Sequence, residues 1–464
     1  MGAFNSFMEE KFMPVAARIG SQKHLVAIRD SFIAIMPVTM VGSIAVLLNV
    51  FLRDLPTQAG MTGFVNAMQP VINVNGNVYF GSIVILALAF VFALGYNIAK
   101  TYDVNAIAGG VIAFASLVTC MAQSAKFSFT LPGVAPEALN QLQTLGLDVA
   151  LSADAGSVVL NNVEAWGYIG SGYTGSGGLF TALIVGFICS MIYVQLMLRK
   201  FTIKLPDSVP PAVSKAFAAI IPGVVAIYAA GIAAQICVSV TGFTINEMVL
   251  KYIQMPLLGL SQGFVSVIVM VFMIQLLWFF GLHGHNVLAP LMDGVYLTAL
   301  NENISVYQQT LDTSQLPYLW TRGSFDAFCQ MGGSGITLGL IIAIFVFSRR
   351  DDQKAIAKLS WSMGIFNINE PVIFGMPIVL NPVYLIPWLI VPPVCAAIAY
   401  LATAVGLIPP VFVSVPWVMP VGIYAFLATG GSFMAALVSL FNLFVSFAIW
   451  TPFVIMANKM NIEE

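Results

Sequence analysis

The sequence predicts an all-α polytopic membrane protein: about ten transmembrane helices, two re-entrant hairpins and amphipathic interfacial helices. Three observations predict it. Hydrophobic residues fill 59% of the 464 positions and charged residues only 8%, whereas soluble domains carry about 25% charged residues. Fourteen of the 18 Lys and Arg fall in five clusters, at 11–29, 100, 199–215, 349–358 and 459, and the positive-inside rule puts all five in the cytoplasm. Two stretches interrupted by Pro and Gly, 359–377 and 408–422, break the late apolar runs, and the first carries a carboxylate, Glu370.

From the start of the chain, Phe4, Phe7, Met8, Phe12 and Val15 recur at helical spacing with Glu9, Glu10, Lys11 and Arg18 between them. Residues 1–30 therefore read as a cytoplasmic amphipathic helix on the membrane surface. The first span is expected at about Phe32–Phe51. The second and third, Ser82–Ala99 and Val104–Ala122, flank a cytoplasmic turn at Lys100. The polar stretch 123–177 lies outside by parity, and the fourth span, Leu179–Leu198, returns to Arg199 and Lys200. Three prolines within 199–215 mark a structured cytoplasmic connector. The fifth span is Phe217–Val240. Residues 243–262 read as an outer interfacial helix, followed by spans at Phe264–Gly281 and Asn286–Leu300. The stretch 301–330 is placed outside, and the eighth span, Ile336–Ser348, leads back to Arg349 and Arg350.

From Lys358 to Pro371 is too short to cross a bilayer core of about 30 Å as a helix. The segment 359–377 should enter, break at Pro371, Gly375 and Pro377, and return. The ninth span, Ile378–Ala404, ends outside, where four prolines, Pro409, Pro410, Pro416 and Pro420, make a second hairpin of opposite entry. Opposed broken segments mark a site near the membrane midplane. The tenth span is Phe433–Ala457. The expected division is 1–30 as a surface segment, 31–240 as one transmembrane domain and 241–464 as a second that carries the site.

A carboxylate at membrane depth costs about 3 kcal/mol on insertion scales and faces a cavity or a partner. Glu370, next to Asn369, is the candidate acid. His283 and His285 end the sixth span between glycines, and His283 and Glu370 in one half of the chain point to a shared polar cavity; each histidine alone also reads as an interfacial residue bonded to backbone. One His-x-His without further ligand spacing does not make a metal site, and no cofactor is expected. Trp278 and Trp417 are the aromatics nearest these polar groups, and their flat faces suit the C–H face of a sugar ring, although a belt or core role fits a membrane tryptophan equally. Gly332-Gly333-Ser-Gly335 lacks the Gly-Lys-Ser/Thr of a phosphate loop, and Gly335-x-x-x-Gly339 reads as close helix packing. The five cysteines stand singly, with no disulfide framework.

Together, Lys204-Leu-Pro-Asp-Ser-Val-Pro, Trp278-Phe-Phe-Gly-Leu-His283-Gly, Gly333-Ser-Gly-Ile-Thr-Leu-Gly339, Asn369-Glu370-Pro371 with Phe374-Gly-Met-Pro-Ile, and Pro416-Trp417-Val-Met-Pro420 resemble the membrane component IIC of the bacterial sugar phosphotransferase system (PTS). The likeness spans the chain and points to the lactose/cellobiose/diacetylchitobiose branch. It implies a homodimer in the bacterial cell membrane, both termini cytoplasmic, that binds a disaccharide outside and presents it inside. It further implies a separate IIB protein, with IIA upstream, whose phosphorylated cysteine donates to the sugar. The chain would then be the membrane component of a sugar phosphotransferase, not an enzyme on its own. On this resemblance Glu370 contacts the hydroxyl that becomes phosphorylated, His283 binds the same region, Asn369 joins them, and Trp278 and Trp417 line the pocket. Glu370 and His283 would carry the catalytic role.

Two other classes compete. An ion-coupled secondary transporter also uses opposed broken helices but moves the sugar unmodified. A membrane-embedded glycosyl-transferring enzyme needs several carboxylates at depth, and in the sequence only Glu370 stands out.

Overall fold

The computed structural model describes residues 22–132, 138–151, 157–206, 208–376, 378–379 and 381–458. The surface helix expected in residues 1–30 lies outside the described residues up to position 21, as do Pro377 and Lys459. What remains of that segment, from Lys23, is already the start of the first long helix.

α1 (Lys23–Asn49) runs through Pro37 and continues by a π-turn, Val50–Asp54. Asp54 is buried there, paired with Arg53 at 2.6 Å and accepting the Tyr307 hydroxyl at 2.9 Å. α2 (Thr62–Phe80) occupies a stretch to which no span was assigned. It buries only Ile72 and Asn75, and Asn75 donates to Asn49 of α1 at 2.8 Å. α3 (Leu86–Thr101), α4 (Ala106–Thr119), α6 (Leu179–Leu198) and α7 (Pro211–Thr241) stand at the expected second to fifth spans.

Between α4 and α6 the all-helical expectation fails. β1 (Ser124–Pro132), a short helix α5 (Ala138–Thr144), β2 (Val149–Leu151) and β3 (Ser157–Trp166) form an antiparallel sheet in the order β1-β3-β2. The cause is local. Phe127, Phe129 and Leu131 alternate with Ser128 and Thr130, a period of two that suits a half-covered strand and no helix.

α8 (Ile245–Ser261) meets α9 (Phe264–Phe279) at 77°. α10 (Gly284–Leu291) passes through a π-turn, Met292–Leu297, into α11 (Thr298–Thr310), ten residues beyond the expected end of the seventh span. Asn301 and Asn303 there are buried rather than solvated. Asn303 donates to the carbonyls of Tyr318 and Val411 and accepts from the Tyr318 N–H. Nor does the stretch 301–330 lie wholly outside: α12 (Arg322–Cys329) packs into the core before α13 (Thr337–Phe347).

After α13 come α14 (Asp351–Ile365), α15 (Glu370–Gly375), α16 (Pro382–Ala404), α17 (Ile423–Ala428) and α18 (Phe433–Ala457). Of the breaks expected at Pro371, Gly375 and Pro377, the first falls earlier, whereas α15 does end at Gly375. Asn367 takes a left-handed φ of 63°, a conformation that Asn tolerates better than most residues. Pro371 then sits in the first turn of α15, where a missing N–H does no harm. Residues 409–416 have no helix or strand. Three prolines, Pro409, Pro410 and Pro416, remove donors, and protein groups meet part of the remaining backbone: Phe412 and Val413 donate to the Ala428 carbonyl at 3.1 and 3.0 Å. Irregular backbone is tolerated at membrane depth under that condition.

Six helices among the described residues are long and apolar enough to cross a membrane, seven if the bent α8–α9 pair counts as one, and α3 and α4 are shorter apolar helices. The buried side chains form two clusters. One joins α3, α4, α6 and α7 to the start of α1; the other joins the elements from α8 to α18, with Val46 of α1, Val50 of the π-turn, Ile83 and Phe180 of α6. Gly339 has the packing role expected of it: a methyl group there would strike Ser446 and the backbone of Phe447 on α18.

Candidate functional site

Five separate stretches meet around one cavity of about 280 Å³. α9 ends there with Trp278, which is 6% exposed. The chain turns through Gly281, at φ 79°, so that His283 caps α10 by accepting the Asn286 N–H on Nδ1 at 3.3 Å. The Trp278 and His283 rings lie 4.3 Å apart, tilted by 46°. The Trp278 indole N–H donates to His285 Nδ1 at 3.3 Å. That leaves the proton of His285 on Nε2, which lies 2.5 Å from the Gln330 amide nitrogen; turning the amide over gives that proton an oxygen to meet.

The second contribution is the turn between α14 and α15. Asn367 ties three stretches together. Its Oδ1 accepts the Gly332 N–H at 2.8 Å, and its Nδ2 donates to the carbonyls of Trp417 and Met419 at 2.6 and 2.9 Å. Asn369 is buried and donates to the Ser334 carbonyl at 2.7 Å. Gly333, at φ 90°, has no room for a side chain, because a methyl group would overlap the Asn369 amide. Glu370 follows at the first turn of α15 with its side chain exposed. Among the described residues no group hydrogen-bonds its carboxylate. It stands within electrostatic reach of His283.

The third contribution is a charged cluster on α12. Arg322 reaches Asp293 of the π-turn at 3.5 Å and Asp326, one turn along, at 2.9 Å. The Tyr424 hydroxyl donates to Asp326 at 3.4 Å. Arg322, Asp326 and Trp417 all line the cavity.

All five residues singled out from the sequence, Trp278, His283, Asn369, Glu370 and Trp417, therefore line one space. Their parts differ. Asn369 has its amide engaged in the wall, Trp417 is 49% exposed, and Glu370 alone offers an unengaged charge. Arg322, Asp326, Gln330 and Asn367 were missed. Arg322 and Asp326 had a signal, opposite charges four residues apart just before an apolar run. Asn367 had none, since its role depends on three loops distant in sequence. The view of Glu370 as the one carboxylate at depth is corrected by Asp293 and Asp326, which share the single cation Arg322.

Chemically, the cavity offers a carboxylate free to accept a hydroxyl proton, imidazoles beside it, amides fixed in its walls and two indole faces. That combination suits a neutral, hydroxyl-rich ligand.

Residues 29–392 match the family model described as phosphotransferase system, EIIC. The chain is 38% identical to the PTS system cellobiose-specific EIIC component of Lactococcus lactis subsp. lactis (strain IL1403), with 100% of both chains covered. It is 33% identical to the PTS system oligo-beta-mannoside-specific EIIC component of Bacillus subtilis (strain 168), covering 97% of this chain and 93% of that one. Among solved structures it resembles the transporter ChbC, the IIC component from the N,N'-diacetylchitobiose-specific phosphotransferase system. That match has a TM-score of 0.85 at 30% identity and covers 98% of each chain.

Proposed function

This chain belongs to the phosphotransferase system EIIC family, and from that premise we propose that it binds a β-linked disaccharide of the cellobiose or diacetylchitobiose type, carries it inward and presents its hydroxyl to a phosphorylated IIB protein. It is a multi-pass membrane protein and a sugar-permease component. Ion-coupled export or import of unmodified sugar is not favoured by this membership. The substrate class is supported by the sugars named for the relatives, cellobiose, oligo-β-mannoside and diacetylchitobiose.

The observation that carries the reading is Glu370, an exposed carboxylate without a hydrogen-bond donor among the described residues, at a chain break and in the same cavity as His283, Trp278 and Trp417. Phosphoryl transfer is chiefly a matter of positioning. The sugar hydroxyl oxygen attacks phosphorus on the IIB phosphocysteine, an O–P bond forms and the P–S bond breaks. The thiolate leaves, and the hydroxyl proton passes to the Glu370 carboxylate, directly or through His283. The tryptophans hold the ring, and Asn369 fixes the turn on which Glu370 stands.

The remaining architecture follows the same reading. Residues 31–240 form the homodimer interface and 241–464 the transport domain; the two buried clusters support the division, apart from Val46, Val50, Ile83 and Phe180, which pack with the second. Segments 359–377 and 408–422 enter from opposite faces, and the termini are cytoplasmic in a bacterial cell. IIA stands upstream of IIB. The test uses sealed vesicles holding the purified protein. Given phosphorylated IIB and no ion gradient, they should accumulate sugar phosphate. Accumulation of free sugar driven by a proton or sodium gradient alone overturns the proposal.

A further inference from the structure

In the transfer step, an anionic phosphoryl group comes up to the Glu370 carboxylate. Two negative charges repel in a cavity walled by indoles and side-chain amides, where screening is weaker than in water. Charge on the phosphoryl oxygens must also be met as transfer proceeds. A cation is needed beside Glu370 and His283, and Arg322 is already held by Asp293 and Asp326. The start of α1 supplies another. Arg29 shares a helix face with Phe32, Ile33 and Met36, three, four and seven positions on. Those three line the space that adjoins the polar cavity across Arg322, Asp326 and Trp417. α1 packs against α10, the helix that His283 caps, and Arg29 stands within electrostatic reach of His283. Among the described residues its ion partner is its neighbour Asp30 at 2.7 Å, with side chains 25% and 44% exposed. Nε and Nη2 both donate to one Asp30 oxygen, and among the described residues Nη1 has no hydrogen bond. A pair this exposed is weak, and a guanidinium fork fits phosphate oxygens.

We propose that Arg29 is a catalytic residue of the phosphoryl transfer, binding the phosphoryl oxygens of the IIB phosphocysteine; the proposal rests on the IIB-dependent reading above. On that reading the chain starts in the cytoplasm, so Arg29 lies on the side from which IIB approaches. The guanidinium leaves Asp30 and takes the non-bridging oxygens. The sugar hydroxyl oxygen then forms the O–P bond, the P–S bond breaks with its electron pair going to the thiolate, and the hydroxyl proton goes to Glu370. Arg29 forms no covalent bond and offsets the charge on the oxygens throughout. Its part of α1 packs in the first buried cluster, through Ala27 and Phe32, whereas Glu370 begins α15 in the second half of the chain. Cation and acid thus come from different parts of the fold, and transfer proceeds only while the two are together.

The test uses the full-length protein in lipid nanodiscs with phosphorylated IIB, and cellobiose or N,N'-diacetylchitobiose as the acceptor. Initial rates are read over a range of phosphorylated IIB, and sugar affinity is titrated without IIB. Arg29→Gln should lower kcat by about 10²–10³, as loss of a charge-stabilising donor does, and leave sugar affinity unchanged. Arg29→Lys keeps the charge without the fork and should recover part of kcat. An unchanged kcat in Arg29→Gln overturns the proposal. So does a raised KM for phosphorylated IIB at unchanged kcat, which marks a docking contact alone. Loss of sugar affinity in both variants assigns Arg29 to the fold or the pocket wall and overturns it as well. If the unaltered protein makes no sugar phosphate from either sugar, the transfer reading itself fails and the role of Arg29 falls with it.

Discussion

The cavity has two ends with opposite electrostatic arrangements. At one, Glu370 stands exposed with no hydrogen-bond donor among the described residues. At the other, Asp293 and Asp326 share the Arg322 guanidinium and Tyr424 donates to Asp326. A carboxylate that already holds a guanidinium has little left to offer a ligand's proton, and its removal strands a buried charge. A carboxylate without a partner contributes little to the fold and is free for a hydroxyl. The difference separates a group positioned for chemistry from a group that holds the frame.

The largest effect should therefore come from Glu370→Gln. It keeps the shape but removes the proton acceptor, and phosphorylation by IIB in vesicles should fall by about 10²–10⁴. The melting temperature should stay near that of the unaltered protein. Asp326→Asn should show the reverse pattern, a lower melting temperature with activity largely kept. Equal losses of phosphorylation in the two variants would break the distinction between the two ends.

The next effect tests the paired end alone. Arg322→Gln leaves Asp293 and Asp326 facing each other without their cation. Both are partly shielded, with side chains 22% and 11% exposed. The loss should be on the order of 2–4 kcal/mol of stability, somewhat less than for a fully dry pair. Removing the two carboxylates along with the arginine, as Asp293→Asn and Asp326→Leu with Arg322→Met, should restore part of it. No recovery in the triple variant would mean that the arginine matters through packing rather than charge.

How much of this was legible in the sequence depends on the range of the interaction. Composition and the Lys/Arg clusters located most helices, because both signals are local and summed over many residues. The alternation of Phe127, Phe129 and Leu131 carried the sheet, but it lay in a polar stretch assigned only by parity. Glu370, His283 and the tryptophans stood out as polar or aromatic groups in apolar surroundings. Asn367 did not, because nothing in its neighbours tells that Gly332, Trp417 and Met419 come to it. Arg322 was placed outside with the polar stretch 301–330, because polarity was read as exposure, and a charge held by two aspartates inside the core carries no such information. The prolines were read as breakers by type, and the structure uses Pro371 as a helix starter.

Asn367 supplies a test of the frame that joins the two ends. Asn367→Ala removes one acceptor and two donors from buried backbone groups and keeps a residue ill suited to a left-handed φ. A destabilisation of about 1–3 kcal/mol is expected. Asn367→Gly keeps the backbone conformation and should lose less than alanine does. If glycine and alanine behave alike, the hydrogen bonds alone carry the turn; if glycine matches asparagine, the conformation does.

The smallest effects compare the two tryptophans, one from each kind of surrounding. Trp278 is buried, and its indole N–H is the donor that leaves the His285 proton on Nε2, facing Gln330. Trp417 is half exposed, and among the described residues its indole N–H has no partner. Phenylalanine keeps an aromatic face at either position but removes the N–H together with the second ring of the indole. Trp278→Phe should cost about 1–2 kcal/mol, one hydrogen bond and the void left by the smaller ring, and release His285 to its other tautomer. Trp417→Phe should leave stability within about 0.5 kcal/mol, the range expected of substitutions that break no such partner. Its sugar affinity should also hold within a few-fold, because the ring face that meets the ligand is kept. Thermal unfolding and sugar titration on the two variants decide the matter. A larger loss of stability at Trp417 than at Trp278 would show that the exposed indole is held by a contact the cavity geometry does not account for.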